Sequence, residues 1–180
     1  YYEWEDTLAG QDEPDPDEVD APLAAFFVLA LESMARMCDA VGKDHAEYDK
    51  LAEKVRRAIA EKFYDKEAGL FRSYGKKHQE KYSVTVNAVC LLCGAADGLN
   101  IDNILKILAS NGADGLPYDV IPASLSMYSF RFDALLSVDK QNYSPIIISE
   151  IDRDYEYMLS TGSTTFWETL KGADDMWYGA

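Results

Sequence analysis

The residues best suited to chemistry lie near the end of the chain, in the stretch Gly162-Ser163-Thr164-Thr165-Phe166-Trp167-Glu168-Thr169. Glu168 directly follows a large aromatic residue, Trp167. An indole ring can stack on the apolar face of a pyranose and exclude water from it. The neighbouring carboxylate can then activate a water molecule or stabilise an oxocarbenium-like centre. This pair of residues therefore indicates carbohydrate chemistry.

A structural interpretation of the same pair stays open. Trp167 would then be an aromatic residue at the edge of the core, and Glu168 a solvated loop residue. Short motifs of this kind occur without function, so the spacing alone does not decide between the two interpretations.

Aromatic residues also open the chain, where Tyr1, Tyr2 and Trp4 alternate with acidic residues such as Glu3 and Glu5. An acidic loop that contains proline follows them and predicts a surface segment. The three rings could form a platform for a sugar, or they could attach the segment to the core. Both interpretations fit the pattern.

Composition limits the classes of function. The chain has 180 residues, of which 48% are hydrophobic, and this is enough for one domain with one core. Its net charge of −15 repels nucleic acid and anionic membranes, so we expect neither as a partner. The chain contains no run of about 18 uncharged apolar residues, and we therefore predict no membrane span.

The three cysteines do not form a disulfide framework. Cys90 and Cys93 lie in an apolar run without a second cysteine pair, and neither His45 nor His78 has neighbours that could bind a metal with it. We interpret both cysteines as small buried hydrophobic residues, with no metal and no cofactor. This use of cysteine favours a reducing, cytoplasmic environment, although it does not fix the location.

The hydrophobic pattern predicts helices in alternating buried and amphipathic pairs. The first begins at the N-cap Asp20 and stops at Gly42. Its apolar residues extend well beyond one stripe, so we expect it to be buried on most sides. The second helix, from Asp44 to about Phe63, has one narrow apolar stripe and a charged face, which is typical of an outer helix.

The same alternation recurs twice along the chain. We predict an inner helix over 83–95, an outer helix over 101–108, an inner helix over 124–138, and an outer helix that opens at Ser144-Pro145. The connector 64–72 predicts a turn with a short β-hairpin. The core stripe of the sixth helix is predicted to be Ile147, Ile151, Tyr155, Met158 and Leu159.

Five passages spread over nearly the whole chain resemble one known family. They are Tyr2-Glu3-Trp4 with the acidic segment that follows it, Asp20-Ala21-Pro22-Leu23 at the first helix, the connector 63–71, the fifth helix over 124–136, and the stretch from Gly162 to Glu168. These passages are similar to the C-terminal half of the catalytic barrel of bacterial α-L-rhamnosidases and rhamnosidase-like glycoside hydrolases. The resemblance implies an all-α fold in which inner/outer helical hairpins form part of an (α/α)6 toroid.

The resemblance also implies the inverting hydrolysis of a terminal α-L-rhamnoside by two carboxylates, with a rhamnose-containing glycan or glycoside as the partner. The family's proposed general base is the Glu of a Thr-Thr-x-Trp-Glu motif, and this role falls on Glu168. It would polarise a water molecule for attack on the anomeric carbon. The side chains that would line the sugar pocket are Trp167, Trp4, Tyr2 and Glu5.

The chain departs from the family in one important respect. The family's general acid lies in an Asp/Arg/Trp-rich motif upstream of the first helix, and nothing in this chain matches that motif. Three hairpins are also only half of a six-hairpin barrel. We therefore expect residues 1–180 to be a single-domain fragment that is inactive alone and self-associates through its open edges.

Two other functions stay open. One is a half-barrel that binds carbohydrate, or serves only as structure, without catalysis. The other is a helical interaction module whose stacked helix pairs expose a concave face to a protein. Such a module is expected to repeat every 34 to 45 residues or so, and the sequence contains no such period.

Overall fold

A computed structural model describes residues 18–76 and 81–167 of the chain, which form six α-helices and four short strands. The helices are α1 (Ala21–Ala40), α2 (Ala46–Phe63), α3 (Val84–Leu92), α4 (Asp102–Ser110), α5 (Tyr128–Val138) and α6 (Lys140–Ser160). The strands are β1 (Tyr64–Asp65), β2 (Leu70–Phe71), β3 (Lys81–Ser83) and β4 (Asp119–Ile121). A 3₁₀ helix (Leu125–Met127) precedes α5. The predicted all-α fold class is confirmed.

The helices alternate between an inner and an outer row. In the inner row α3 lies between α1 and α5, while α2 packs on α1, α4 on α3 and α6 on α5. Every residue of α3 from Val84 to Cys90 is buried, as its continuous apolar sequence requires. The rings of Phe26 on α1 and Phe130 on α5 meet edge to face, 5.1 Å between centroids. The inner row is therefore curved, and the three hairpins form an arc.

α1 is buried on one face only, so the prediction that it is buried on most sides is wrong. Asp20 caps the helix by accepting a hydrogen bond from the backbone N–H of Leu23 (3.0 Å), as predicted. The opposite face is apolar and exposed at intervals of three and four residues. We call this face the α1 stripe, and it consists of Leu23, Phe27, Ala30, Met34, Met37 and Val41. It lies at the edge of the arc, where no described helix covers it.

By length and composition, α1 is also the one helix among the described residues that could cross a membrane. The inner helix of a globular domain can pass the same test. Glu32 on α1 accepts a 2.5 Å hydrogen bond from the guanidinium of Arg56 on α2, and Arg56 also donates to the carbonyl oxygen of Cys93 (2.7 Å). These contacts and the packing of α1 on α3 are those of an inner helix of the domain.

The N-cap of α6 lies five residues before the predicted one, because Asp139 rather than Ser144 caps the helix. The Asp139 carboxylate accepts hydrogen bonds from the backbone N–H groups of Gln141 and Asn142. Pro145 lies inside the helix and costs one backbone hydrogen bond. A single residue, Asp139, separates α5 from α6, so no loop marks the boundary in the sequence.

The core-facing side of α6 is partly charged, and this corrects the predicted stripe. Its buried residues are Ile147, Glu150, Asp154 and Met158. Ile151, Tyr155 and Leu159 were expected in the core but are exposed at the second edge of the arc. The helix is turned in this way because Asp154 accepts a hydrogen bond from Tyr128 and Glu150 faces a buried arginine on α5.

That arginine is Arg131, whose side chain is completely buried. It forms an ion pair with Glu150, and its guanidinium carbon lies 4.6 Å and 4.8 Å from the ring centroids of Tyr128 and Phe132. The Tyr128 hydroxyl donates to Asp154 (3.4 Å). Among the described residues, Nε and Nη1 of Arg131 have no hydrogen-bond partner. The α5/α6 hairpin is therefore joined by a buried polar network as well as by apolar packing.

Candidate functional site

The connections between hairpins gather at one end of the arc, where the inner helices begin. Asp20, just before α1, forms an antiparallel bridge with Tyr74, and Arg72 forms one with Tyr82. Strand β3, just before α3, pairs in parallel with β4, which precedes α5. We call these segments (18–20, 72–76, 81–83 and 119–124) the rim. The parallel β3/β4 pair was not predicted, because strands of three residues leave almost no pattern in a sequence.

An asparagine at the end of α4 holds the last of these segments. Asn111 adopts a left-handed conformation (φ 52°), and its side-chain carbonyl accepts from the N–H of Ala123 (2.8 Å). Its amide group donates to the carbonyl oxygen of Ala123 and to the hydroxyl of Tyr128. The chain leading into α5 is thereby fixed to the end of α4.

The antiparallel arrangement of α5 and α6 brings the C-terminal motif to the same end as the rim. Tyr128 at the start of α5 lies against Asp154, and Arg131, one turn later, lies against Glu150. α6 therefore ends beyond the start of α5, at the end of the arc where the rim lies. Trp167 follows α6 by seven residues.

The motif begins with a sharp turn away from α6. Gly162 has φ +81°, a conformation that a residue with a side chain rarely adopts, and its N–H donates to the carbonyl oxygen of Leu159 (3.0 Å). The Thr161 hydroxyl donates to the carbonyl oxygen of Met158 (2.7 Å). The direction in which the motif leaves the helix is therefore well determined.

Trp167 is held against α6 and is only 7% exposed. Its indole Nε1–H donates to Oγ of Ser163 (2.9 Å), and its ring meets the ring of Tyr157 edge to face, with centroids 5.6 Å apart. Phe166 is instead 80% exposed and contacts Tyr155 edge to face, with centroids 5.5 Å apart.

A cleft of about 470 Å³ lies beside the motif on the surface of α6. Its lining is mostly apolar and consists of Tyr155, Met158, Leu159, Ser163, Thr164, Thr165 and Phe166. This cleft continues the exposed apolar side of α6 and belongs to the second edge of the arc.

Of the five residues predicted for the site, Trp167 is the one that the structure describes. The other four, Glu168, Tyr2, Trp4 and Glu5, lie outside the described residues. Their roles stay predictions.

A second polar cluster, which the sequence analysis did not identify, lies in the connector before α3. The Asp65 carboxylate accepts from Arg72 (2.5 Å) and from the hydroxyl of Tyr82 (2.8 Å). Burial and this hydrogen bond raise the pKa of Tyr82 to about 12. Burial alone would raise the pKa of Asp65, but hydrogen bonds from Tyr82 and the backbone, together with the charge of Arg72, lower it. The cluster links Asp65 of β1 to two residues of the rim, Arg72 and Tyr82.

The predicted structural role of Cys90 in α3 and of Cys93 at its C-cap agrees with their surroundings. Cys90 and Cys93 are both buried, and burial raises the pKa of the Cys93 thiol to about 11 and that of Cys90 well above its ordinary value. Within residues 18–76 and 81–167, no group of three or more His, Cys, Asp and Glu side chains could hold a metal ion.

Comparison with known proteins identifies the family. Residues 1–113 match the family model described as the bacterial α-L-rhamnosidase six-hairpin glycosidase domain. This chain belongs to that family. The matched residues include α1 to α4 and stop before the Gly162–Glu168 motif, so the assignment of Glu168 depends on the motif resemblance rather than on this match.

A solved rhamnosidase structure resembles a larger part of this chain than the family model matches. The crystal structure of the GH78 family rhamnosidase of Bacillus sp. GL1 superposes with a TM-score of 0.71 at 25% sequence identity. The likeness covers 84% of this chain and 16% of that one, so the chain spans about a sixth of the solved protein. No curated protein matches the sequence. The predicted rhamnosidase-like family and helical-hairpin architecture are confirmed.

Proposed function

We propose that this chain supplies one side of the active site of an inverting glycoside hydrolase that cleaves terminal α-L-rhamnosides. The observation that carries the proposal is the match of residues 1–113 to the rhamnosidase six-hairpin domain. The likeness of three stacked hairpins to a GH78 rhamnosidase, over 84% of the chain, supports it.

In this proposal Glu168 is the general base. It polarises a water molecule for attack on the anomeric carbon, on the face opposite the leaving group. An inverting reaction requires a second carboxyl group, about 6.5–9.5 Å from the first, which protonates the leaving oxygen. No segment of this chain resembles the family's acid motif, so we assign the acid to the other half of a six-hairpin barrel.

Trp167 and the N-terminal residues Tyr2, Trp4 and Glu5 bound the sugar pocket in this proposal. Because Trp167 is 7% exposed and its indole nitrogen already bonds to Ser163, it would contact the sugar through a small part of its ring. Its proposed role is to limit the pocket and to exclude water beside Glu168.

The proposal predicts that residues 1–180 alone do not hydrolyse glycosides, since one of the two carboxyl groups is missing. Measurable turnover of an aryl α-L-rhamnoside by this purified segment would contradict the division of the site between two halves. The control is the protein expressed over its whole open reading frame, however far that extends beyond residues 1–180.

The decisive experiment measures hydrolysis of an aryl α-L-rhamnoside by that whole protein, with and without Glu168→Gln. Loss of general base catalysis should lower kcat by roughly 10²–10⁴-fold. The matched control is Glu156→Gln, which changes an exposed carboxylate on α6 and should leave the rate unchanged. NMR of the first product should show the inverted anomer.

The possible results lead to different conclusions. An active protein that tolerates Glu168→Gln would refute the assignment of the base but not the family. A protein that hydrolyses no member of a panel of glycosides would instead favour a half-barrel that binds carbohydrate or serves as structure.

A further inference from the structure

Ser163 occupies a central position in the turn that leads from α6 to Trp167. Its hydroxyl donates to the carbonyl oxygen of Thr165 (2.7 Å) and accepts from the indole Nε1–H of Trp167 (2.9 Å). One hydroxyl group thus makes two hydrogen bonds within a segment of five residues. An indole N–H that is buried without a partner is unfavourable, so the acceptor provided by Ser163 is important for keeping Trp167 in place.

A second contact fixes the same indole from the side of α6. The ring of Tyr157 meets the ring of Trp167 at 86°, with 5.6 Å between centroids. The backbone at Tyr157 belongs to the last turn of the helix, where its carbonyl oxygen accepts from the hydroxyl of Ser160 (2.7 Å) and from the N–H of Thr161 (3.3 Å). The indole is therefore held at its nitrogen by Ser163 and on its ring by a residue anchored in α6.

The other hydroxyl residues of the motif differ from Ser163. The side chains of Thr164 and Thr165 are exposed, and neither makes a side-chain hydrogen bond within the described part of the chain. Of these three residues, Ser163 is therefore the one whose hydroxyl group connects the turn to Trp167.

We infer that Ser163 is a positioning residue that fixes the Trp167-Glu168 pair for general base catalysis. The inference depends on the proposed function, because it concerns how the base of that reaction is held. Holding the Trp167 side chain restricts the backbone of Trp167, the residue that precedes Glu168 in the sequence. A displacement of about 1 Å at a catalytic group can cost roughly 100-fold in rate.

The hydrogen bond itself can be tested without any activity. In the whole protein, every tryptophan other than Trp167, which within residues 1–180 means Trp4 and Trp177, is replaced by Phe, so that the fluorescence reports on the surroundings of Trp167. Ser163→Ala should shift the emission to longer wavelength and increase quenching by acrylamide, whereas Ser163→Thr, which keeps the hydroxyl, should not. The control Ser149→Ala removes an exposed hydroxyl from α6, eight residues before Tyr157, and should leave the spectrum unchanged.

The positioning role is tested by kinetics on the whole protein with native tryptophans. Ser163→Ala should lower kcat roughly 10- to 100-fold, with KM within about two-fold, since the substrate contacts remain. Ser163→Thr should restore most of the rate, and Ser149→Ala should match the unsubstituted protein. A change in KM alone, or failure of Thr to rescue an otherwise folded variant, would overturn the inference.

The two proposals fail in distinguishable ways. If the unsubstituted protein shows no turnover, the proposed function is refuted, and the catalytic role of Ser163 with it, while fluorescence still reports whether the hydrogen bond exists. If the protein is active and sensitive to Glu168→Gln but indifferent to Ser163→Ala, the positioning role alone is refuted. An unchanged Trp167 spectrum in Ser163→Ala would refute the hydrogen bond.

Discussion

Replacing Arg131 with Met should strongly destabilise the domain. Arg131 is completely buried, and its partner Glu150 is 8% exposed. Without the guanidinium, the cation that remains near Glu150 among the described residues is Arg153, 3.6 Å away and 67% exposed, and the neutral Tyr128 hydroxyl does not replace the lost charge. Removing one member of a buried ion pair typically costs about 3–5 kcal/mol, because the remaining charge stays buried without adequate compensation.

This cost converts into a measurable shift of the unfolding midpoint. With an m-value of about 2 kcal/mol/M in urea, a loss of about 3–5 kcal/mol lowers the midpoint by about 1.5–2.5 M. Circular dichroism at 222 nm would follow the transition. The control is Arg57→Met, which breaks an exposed ion pair with Glu53 on α2 and should cost less than about 1 kcal/mol.

A double substitution separates the effect of charge from that of packing. Arg131→Met combined with Glu150→Leu removes both buried charges and the two guanidinium nitrogens that lack partners. Its stability should return to within about 1 kcal/mol of the unsubstituted chain, or exceed it. The reasoning would be refuted if Arg131→Met cost less than about 1 kcal/mol, or if the double variant were as unstable as the single one.

Two further predictions concern the thiols and the open edges. At pH 8 the folded chain should show one reactive thiol with Ellman's reagent, that of the half-buried Cys38, and three after unfolding, because burial raises the pKa values of Cys90 and Cys93. Rapid reaction of a second thiol would contradict the packing of α3. Residues 1–180 in isolation should self-associate through the α1 stripe, and Phe27→Lys should weaken the association measured by light scattering. A monodisperse monomer would show that the stripe does not drive association.

The sequence predicted the helices best where hydrophobicity and capping agree. The apolar run of α3 and the Asp20 cap of α1 both led to correct elements, because each depends on local residues. The start of α6 was misplaced because Ser144-Pro145 has the form of a helix start, whereas Asp139 caps the helix without an intervening loop.

The faces of the helices were harder to predict than their existence. Glu150 and Asp154 lie outside the predicted core stripe of α6 but are buried, because Glu150 pairs with Arg131 and Asp154 accepts a hydrogen bond from Tyr128. Two acidic residues four apart on α6, together with an arginine in the mostly apolar α5, were the available signal. In the motif, the role of Trp167 in the sugar pocket stays a prediction, and its hydrogen bond to Ser163 depends on the turn at Gly162, which residue types alone do not predict.

The two exposed apolar edges of the arc have a consequence for how a ring would assemble. An open arc of three hairpins has two interfaces between hairpins, whereas a closed ring of six has one for every hairpin. Joining two arcs creates two interfaces, and once the first has formed the second is intramolecular, with a high effective concentration. Closure is therefore expected to be cooperative. A substitution in the α1 stripe should therefore destabilise the ring by more than the free energy of the contacts that it removes. When one interface between the arcs is lost, the other no longer has the advantage of a high effective concentration and dissociates more easily.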